Sequence, residues 1–259
     1  MHTGPRAHRL VTCGDLQWQL SSYAMPISDS TVSLVDAEVS SRVAEVRERI
    51  AAAATRGGYG QSVTLIAVTK THGPEAVVAA WRAGVLDVGE NRVQEAEAKM
   101  AEVTVPVRWH LIGHLQRNKA KAATRFALVH GVDSERLAEA LDTAAQAEGV
   151  ILDVLMQVNV SGEVSKSGVD PASVQAMAQR WHALRHVQVM GVMVMAPFDA
   201  PESVLRTVFA GARDARIQLQ QAGHPAPWLS MGMSGDYEIA VEEGATHVRL
   251  GTVLFGSRT

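Results

Sequence analysis

One cysteine, Cys13, in 259 residues excludes an intramolecular disulfide and fits a reducing compartment. No apolar run is long enough to span a bilayer. Charge of neither sign dominates, and a formal net charge of −3 gives no electrostatic footprint for nucleic acid or an anionic membrane. No Pro/Gly/Ser-rich linker and no shift of composition interrupts the chain beyond residue 60, which favours one domain over two. The first strand-like run also lacks the G-x-G-x-x-G turn of dinucleotide-binding open sheets. What is present, 47% hydrophobic and 20% charged residues, is enough to bury a substantial core.

Residues 1–30 differ in character from the rest. Leu10-Val11-Thr12-Cys13 has the outline of a lipoprotein cleavage site, but no apolar h-region precedes it and Asp15 places a charge just beyond it. This segment is expected to be a disordered extension, or Met25 the true start, of a cytoplasmic protein whose folded part covers 31–259.

Val32, Val35, Val39, Val43, Val46 and Ile50 recur at helical spacing, and Gly57-Gly58 stops the helix they predict. Strand-like runs then appear at 63–70, 85–89, 107–112, 127–132, 150–160, 187–195, 227–231 and 246–251. Helix-like stretches near 74–83, 91–102, 116–124, 134–148, 171–184, 201–221 and 235–243 separate them. Pro74 and Pro171 suit first helical turns, Asp133-Ser134 offers an N-cap, and Gly84, Gly149, Gly223 and Gly244 sit where helices should end. Eight β/α units after one leading helix predict an α/β fold: a single (β/α)8 TIM barrel with an extra N-terminal helix. A doubly wound open sheet is the second choice.

Barrel chemistry gathers at the carboxyl ends of the strands. Here those ends carry Lys70, Glu90-Asn91-Arg92, His110 to His114, Asp133, Asn159 with Ser161, Met195-Ala196-Pro197, Ser230 to Ser234 and Arg249 to Thr252. Lys70 closes the apolar run Val63-Thr64-Leu65-Ile66-Ala67-Val68-Thr69. Burying an ammonium there disfavours its charged form, and a neutral, fixed amine is what carbonyl condensation needs. Lys70 is therefore a candidate Schiff-base lysine, the alternative being a strand cap that snorkels to water. Met190, Met193 and Met195 read as barrel core.

The run from Ser230 through Met231, Gly232, Met233 and Ser234 to Gly235 is a small-residue turn leading into a helix. Its glycines free backbone N–H groups, its serines add hydroxyls, and a helix N-terminus adds partial positive charge. The next strand ends Arg249-Leu250-Gly251-Thr252, a second glycine followed by a hydroxyl residue. These are the loops after strands seven and eight, where barrels commonly hold phosphate. Strand alternation points Arg249 and Gly251 to the barrel mouth. Arg249 then meets a heterocycle's ring nitrogen or a phosphate, or else forms an ion pair with Glu90 or Asp133.

An amine on one strand end facing a phosphate nest on two others fits pyridoxal 5′-phosphate (PLP). The segments Ala67-Val68-Thr69-Lys70, Gly89-Glu90-Asn91-Arg92-Val93-Gln94-Glu95 and Trp109-His110-Leu111-Ile112-Gly113-His114-Leu115-Gln116-Arg117-Asn118-Lys119 also resemble a known family. So do Ser165-Lys166-Ser167-Gly168, Leu229-Ser230-Met231-Gly232-Met233-Ser234 and Arg249-Leu250-Gly251-Thr252. In order and content they are similar to the signatures of the YggS/PROSC family, the pyridoxal phosphate homeostasis proteins, from about residue 31 to the C-terminus. The resemblance implies a fold-type III barrel like the N-terminal domain of alanine racemase. It implies PLP held as a Schiff base on Lys70, with Asn91, His110, Ser230, Gly232, Met233, Ser234, Arg249, Gly251 and Thr252 around it. It further implies a monomeric carrier that buffers the cofactor and delivers it to PLP-dependent apo-enzymes, without assigned turnover, catalytic residues or metal. His72 and His114 depart from the lysine and proline of many relatives, at the rim where a second cofactor molecule or an acceptor would dock. Lys166 is a candidate relay lysine for cofactor release, or a solvated loop residue.

Two other readings share the lysine. A PLP-dependent racemase or decarboxylase is one. Racemases of this fold draw a tyrosine from a partner's C-terminal domain, and this chain's tyrosines are only Tyr23, Tyr59 and Tyr237, with no such domain expected before Thr259. The other is a class I aldolase-like barrel, which lacks an evident acid/base carboxylate pair beside Lys70.

Overall fold

The structure is a computed structural model describing residues 34–163 and 167–256. Residues 1–30, Val32, Tyr23 and Lys166 lie outside the described residues. Helix α1 (Leu34–Gly57) leads, with Val39, Val43, Val46, Ile50 and Ala53 buried along one stripe. Eight strands come after it: β1 (Thr64–Val68), β2 (Asp87–Glu90), β3 (Arg108–Leu111), β4 (Leu128–Val132), β5 (Leu152–Gln157), β6 (Val187–Met193), β7 (Trp228–Ser230) and β8 (His247–Leu250). They pair in parallel and in chain order, and β8 closes on β1 with Ala67 opposite Leu250. Closure rules out the open doubly wound sheet.

Helices α2 (Pro74–Arg82), α3 (Val93–Glu102), α4 (Ala120–Ala123), α5 (Glu135–Glu148), α6 (Val174–Trp181), α7 (Glu202–Gln221) and α8 (Tyr237–Glu242) each follow one strand in turn, from α2 after β1 to α8 after β7. A last short helix, α9 (Thr252–Phe255), follows β8 where no helix was expected. Single 3-10 turns at Arg117–Lys119 and Pro171–Ser173 open α4 and α6, so those helices are shorter than their sequence stretches. Pro74 begins α2, Ser134 is the N-cap of α5, and Gly149 ends α5 in the left-handed conformation. No described helix is long and apolar enough to cross a membrane.

The main core lies between strands and helices and is aliphatic, from Ala67 and Val88 round to Val248 and Leu250. Inside the barrel the filling is different. Leu128, Leu155 and Met193 form a small apolar plug with Met190, Met195 and Trp228 against it, as expected for the methionines. Gly191 lets β6 approach β7 so closely that any side chain there would collide with the Trp228 backbone. Beside Ile66 and Val68 of β1, the interior is unusually polar: Asp87, His110, His130, Ser230, His247 and Arg249 are all buried. Barrel interiors are ordinarily filled by branched aliphatics, so this polar interior needs a hydrogen-bonding account.

Candidate functional site

Strand β1 stops at Val68, two residues earlier than its apolar run suggests, because neighbouring elements capture Thr69. The Thr69 hydroxyl donates to Glu90 Oε1 at 2.6 Å, and its carbonyl accepts from Lys99 Nζ at 2.7 Å. Lys99 also bonds Glu90 at 2.6 Å and Glu95 at 3.3 Å. Thr71, at φ 66°, gives its backbone N–H to Glu95 at 2.5 Å. Lys70 thus rides on a tight turn pinned on both sides, half-buried rather than dry. The dry lysine is Lys99, 5% exposed. Burial pushes the Glu90 carboxyl up, against the opposing pull of Lys99 and Thr69.

The same turn touches the other end of the chain. β1 and β8 are hydrogen-bonded neighbours, and Gly251 lies close to Val68, where a Cβ would sit a tight 3.3 Å from the Val68 carbonyl oxygen. His72 packs on Phe255 of α9, ring centroids 5.2 Å apart. The loop carrying Lys70 and the Gly251-Thr252 turn therefore share one sector of the barrel mouth.

The turn after β7 joins that sector. Gly232 sits at φ 93°, and a Cβ there would lie 2.7 Å from the Ala240 Cβ, so only glycine fits. Gly235 faces open space. Ser234 Oγ accepts from the Val253 backbone N–H at 3.4 Å, linking the two glycine turns. Among the described residues, no group accepts from the backbone N–H groups of Ser234, Gly235 or Thr252. These donors are available for an anion cradle, and Gly235 and Thr252 are exposed. The helices beyond, α8 and α9, are short, so amides and hydroxyls supply the attraction rather than an extended macrodipole. One carboxylate intrudes: Asp236 Oδ1 already accepts the Met233 N–H at 2.6 Å, and burial pushes its carboxyl up.

Arg249 is buried inside the mouth, donating to Ser230 Oγ at 2.6 Å and to the Val194 carbonyl at 3.0 Å. Neither Glu90, bound to Lys99, nor Asp133, beside His114 at 3.4 Å, is its partner. Burial lowers the guanidinium to about 10, still cationic at neutral pH. Ser230 Oγ is fully buried and also 2.8 Å from His130 Nδ1, so its hydroxyl supports Arg249 and is not a free donor at the cradle. His110 lies deeper, between His130 and Asp87. Asn91, half-buried, follows β2 at the mouth, its backbone so close to Gly113 that a side chain there would collide with it. Among the described residues no three His, Cys, Asp or Glu side chains are grouped to hold a metal ion.

Residues 42–259 match the family model for the alanine racemase N-terminal domain. A pyridoxal phosphate homeostasis protein of Aquifex aeolicus is 40% identical over 211 residues, 80% of this chain and 92% of the relative. One from Pseudomonas aeruginosa is 40% identical over 231 residues, 88% of this chain and 96% of the relative. The chain belongs to the pyridoxal phosphate homeostasis protein family. The solved structure of PipY from Synechococcus elongatus with PLP bound is 41% identical, superposes with a TM-score of 0.75, and covers 84% of this chain and all of its own.

Within this family framework, the structure gathers Lys70, Gly232, Met233, Ser234, Gly251 and Thr252 at one mouth and places Arg249, Ser230 and His110 in a chain beneath it. Sequence reading passed over Lys99, His130 and Asp236. Glu95 read as a helix-surface residue, yet its spacing of four from Lys99 places both on the helix face turned to the Lys70 turn. His130 had a signal too: an imidazole in an otherwise aliphatic strand, where a partner is obligatory.

Proposed function

We propose that this chain binds pyridoxal 5′-phosphate, with Lys70 as its covalent anchor, and serves intracellular PLP homeostasis by holding and exchanging the cofactor. The observation that carries the reading is the β1–β8 pairing, which sets the Lys70 turn beside the Gly251-Thr252 and Gly232-Ser234 turns. The residues present fit the group: a half-exposed primary amine, a glycine-dependent cradle with unpaired N–H donors, and a buried cation between them. When bound, the cofactor supplies an aldehyde that condenses with an amine to a Schiff base, with loss of one water.

Each residue has a physical task here. Glu90, Lys99 and Glu95 fix the turn on which the Lys70 amine is presented. The backbone N–H groups of Ser234, Gly235 and Thr252 hold phosphate oxygens. Arg249 offers its Nε–H, which has no protein partner among the described residues, to the heterocycle. The observed tyrosines do not supply a racemase's second base. Tyr237 is 3% exposed, with burial pushing its phenol up, and Tyr59 precedes β1, beneath the Arg213 guanidinium. In this reading the protein acts as a cytoplasmic monomer that passes PLP to apo-enzymes.

Mass spectrometry after borohydride reduction tests the anchor. A cofactor-sized adduct on the Lys70 peptide is expected; its absence, or its placement on Lys99, overturns the assignment. Reactivation of a PLP-dependent apo-enzyme by the loaded protein is the expected sign of a carrier, whereas efficient racemisation or decarboxylation of an amino acid would reject it.

A further inference from the structure

A single file of hydrogen bonds crosses the barrel interior. It starts at the amino-terminal ends of β2 and β3, where Arg108 clasps Asp87 through two bonds of 2.7 and 2.6 Å. Asp87 Oδ1 meets His110 Nε2 at 2.9 Å, His110 Nδ1 meets His130 Nε2 at 3.0 Å, and His130 Nδ1 meets Ser230 Oγ at 2.8 Å. Ser230 ends the file on Arg249 at 2.6 Å. Six side chains from five strands thus join the mouth opposite the cradle to the cation beneath it.

With His110 in its neutral form, the chemistry of the ends fixes the sense of every bond. Burial pushes Asp87 up, but hydrogen bonds from His110 and Arg108 outweigh it and hold the carboxyl at about 2, so it is an acceptor. His110 Nε2 therefore carries its hydrogen. Complete burial, reinforced by the Arg249 guanidinium, holds His130 far below the usual imidazole range, so it is neutral and owns one N–H. With His110 Nδ1 as acceptor, that hydrogen is on His130 Nε2. His130 Nδ1 then accepts the Ser230 hydroxyl, whose lone pair accepts from Arg249. Every donor points from Arg249 toward Asp87. The third imidazole, His247, is 6.3 and 6.5 Å centroid to centroid from His130 and His110, and burial lowers it to about 3, so it adds no charge. Asp236, behind the cradle, is the remaining charge that acts on Arg249.

We propose that Asp87, His110 and His130 are positioning residues for Arg249, acting through Ser230 to hold its guanidinium in one orientation and its Nε–H toward the ligand end of the barrel. A buried polar file is costly unless every group is satisfied, and here each is satisfied in only one proton arrangement. This restricts the longest and most flexible member, Arg249, to one pose. The inference rests on the proposed cofactor reading for what Arg249 contacts, but the proton arrangement belongs to the protein alone.

The test has two arms. In cofactor-free full-length protein carrying ring-15N histidine, NMR is expected to show both His110 and His130 as Nε2–H tautomers with bare Nδ1. An Nδ1–H on either ring overturns the relay. In the second arm PLP is the probe. His130→Leu is expected to release PLP about tenfold more readily and to shift its visible band, with His130→Gln, which retains a donor and an acceptor, recovering part of both. Asp87→Asn leaves His110 an acceptor while removing the charge and one of the two bonds to Arg108, so it carries this arm if His130→Leu does not fold; a displaced band is expected there too. Parent-like band and retention in both His130→Gln and Asp87→Asn, with the parent loaded, would reduce the file to a structural feature and overturn the proposal. A parent protein that gives no band at all refutes the cofactor reading, while the histidine spectra still decide the relay.

Discussion

Lys99 reaches from α3 to the carbonyl of Thr69, the residue immediately before Lys70, at 2.7 Å. A buried cation therefore fixes the peptide next to the proposed anchor. The same Nζ bonds Glu90 at 2.6 Å, and both side chains are withdrawn from water. Replacing one partner of a buried pair costs far more than the pair contributes, because the other charge is stranded. Lys99→Met is expected to destabilise the fold by about 3–5 kcal/mol in urea unfolding. Glu90→Gln in the same chain should recover much of that loss. The double variant should still bind PLP but yield less borohydride-trapped adduct, since the Lys70 turn has lost its clamp; an undiminished yield would mean the clamp does not position Lys70.

Lys70→Ala separates attachment from fold. The side chain is half-buried and, among the described residues, has no hydrogen-bond or ion-pair partner, so its loss leaves no stranded charge. Thermal unfolding is expected to stay within about 0.5 kcal/mol of the parent, as for a surface position. Covalent adduct should vanish, while weaker, dialysable PLP remains in the cradle. Loss of both kinds of binding would show that the glycine turns hold no phosphate by themselves.

How far the sequence reached can be judged from Lys70 and His130. Alternation of apolar strands and amphipathic helices specified eight β/α units, and all eight strands occur, because period and glycine stops are local properties. The Lys70 environment was misjudged since the strand's end was decided by Glu90 and Lys99, which lie 20 or more residues away in sequence. Side chains that cooperate across a barrel leave no spacing signal. Asp87, His110, His130, Ser230 and Arg249 come from five strands, and only closure puts them in file. The glycine turns were legible because their chemistry is backbone chemistry, written in consecutive residues.

Asp236 should oppose whatever anion the cradle takes. Its carboxylate occupies the Met233 N–H of the same turn at 2.6 Å, and it is attracted to Arg249. Asp236→Asn keeps an acceptor for that N–H and removes the like charge. At this partly exposed position the gain is about 1 kcal/mol, roughly fivefold tighter retention of inorganic phosphate or PLP, and it should shrink with added salt. Equal phosphate affinity in parent and variant would place the anion away from this turn.

Asp153 offers a pH test that is independent of any ligand. It is the second residue of β5, and burial alone raises its carboxyl from 3.8 to about 6. The native state therefore holds this proton at pH values where the unfolded chain has released it. At this site stability accordingly falls as pH rises from about 4 to 6, and above 6 the penalty is constant. Asp87 works in the opposite sense, since its carboxyl, held at about 2, contributes stability that is lost only as acid protonates it. Asp153→Asn should thus be more stable than the parent at neutral pH by roughly 2 kcal/mol, after allowing for the water that reaches the carboxylate. The advantage should close between pH 6 and 4. Urea midpoints of the two proteins across that range are the measurement, and a difference that does not change with pH would show that Asp153 titrates as it does in the unfolded chain.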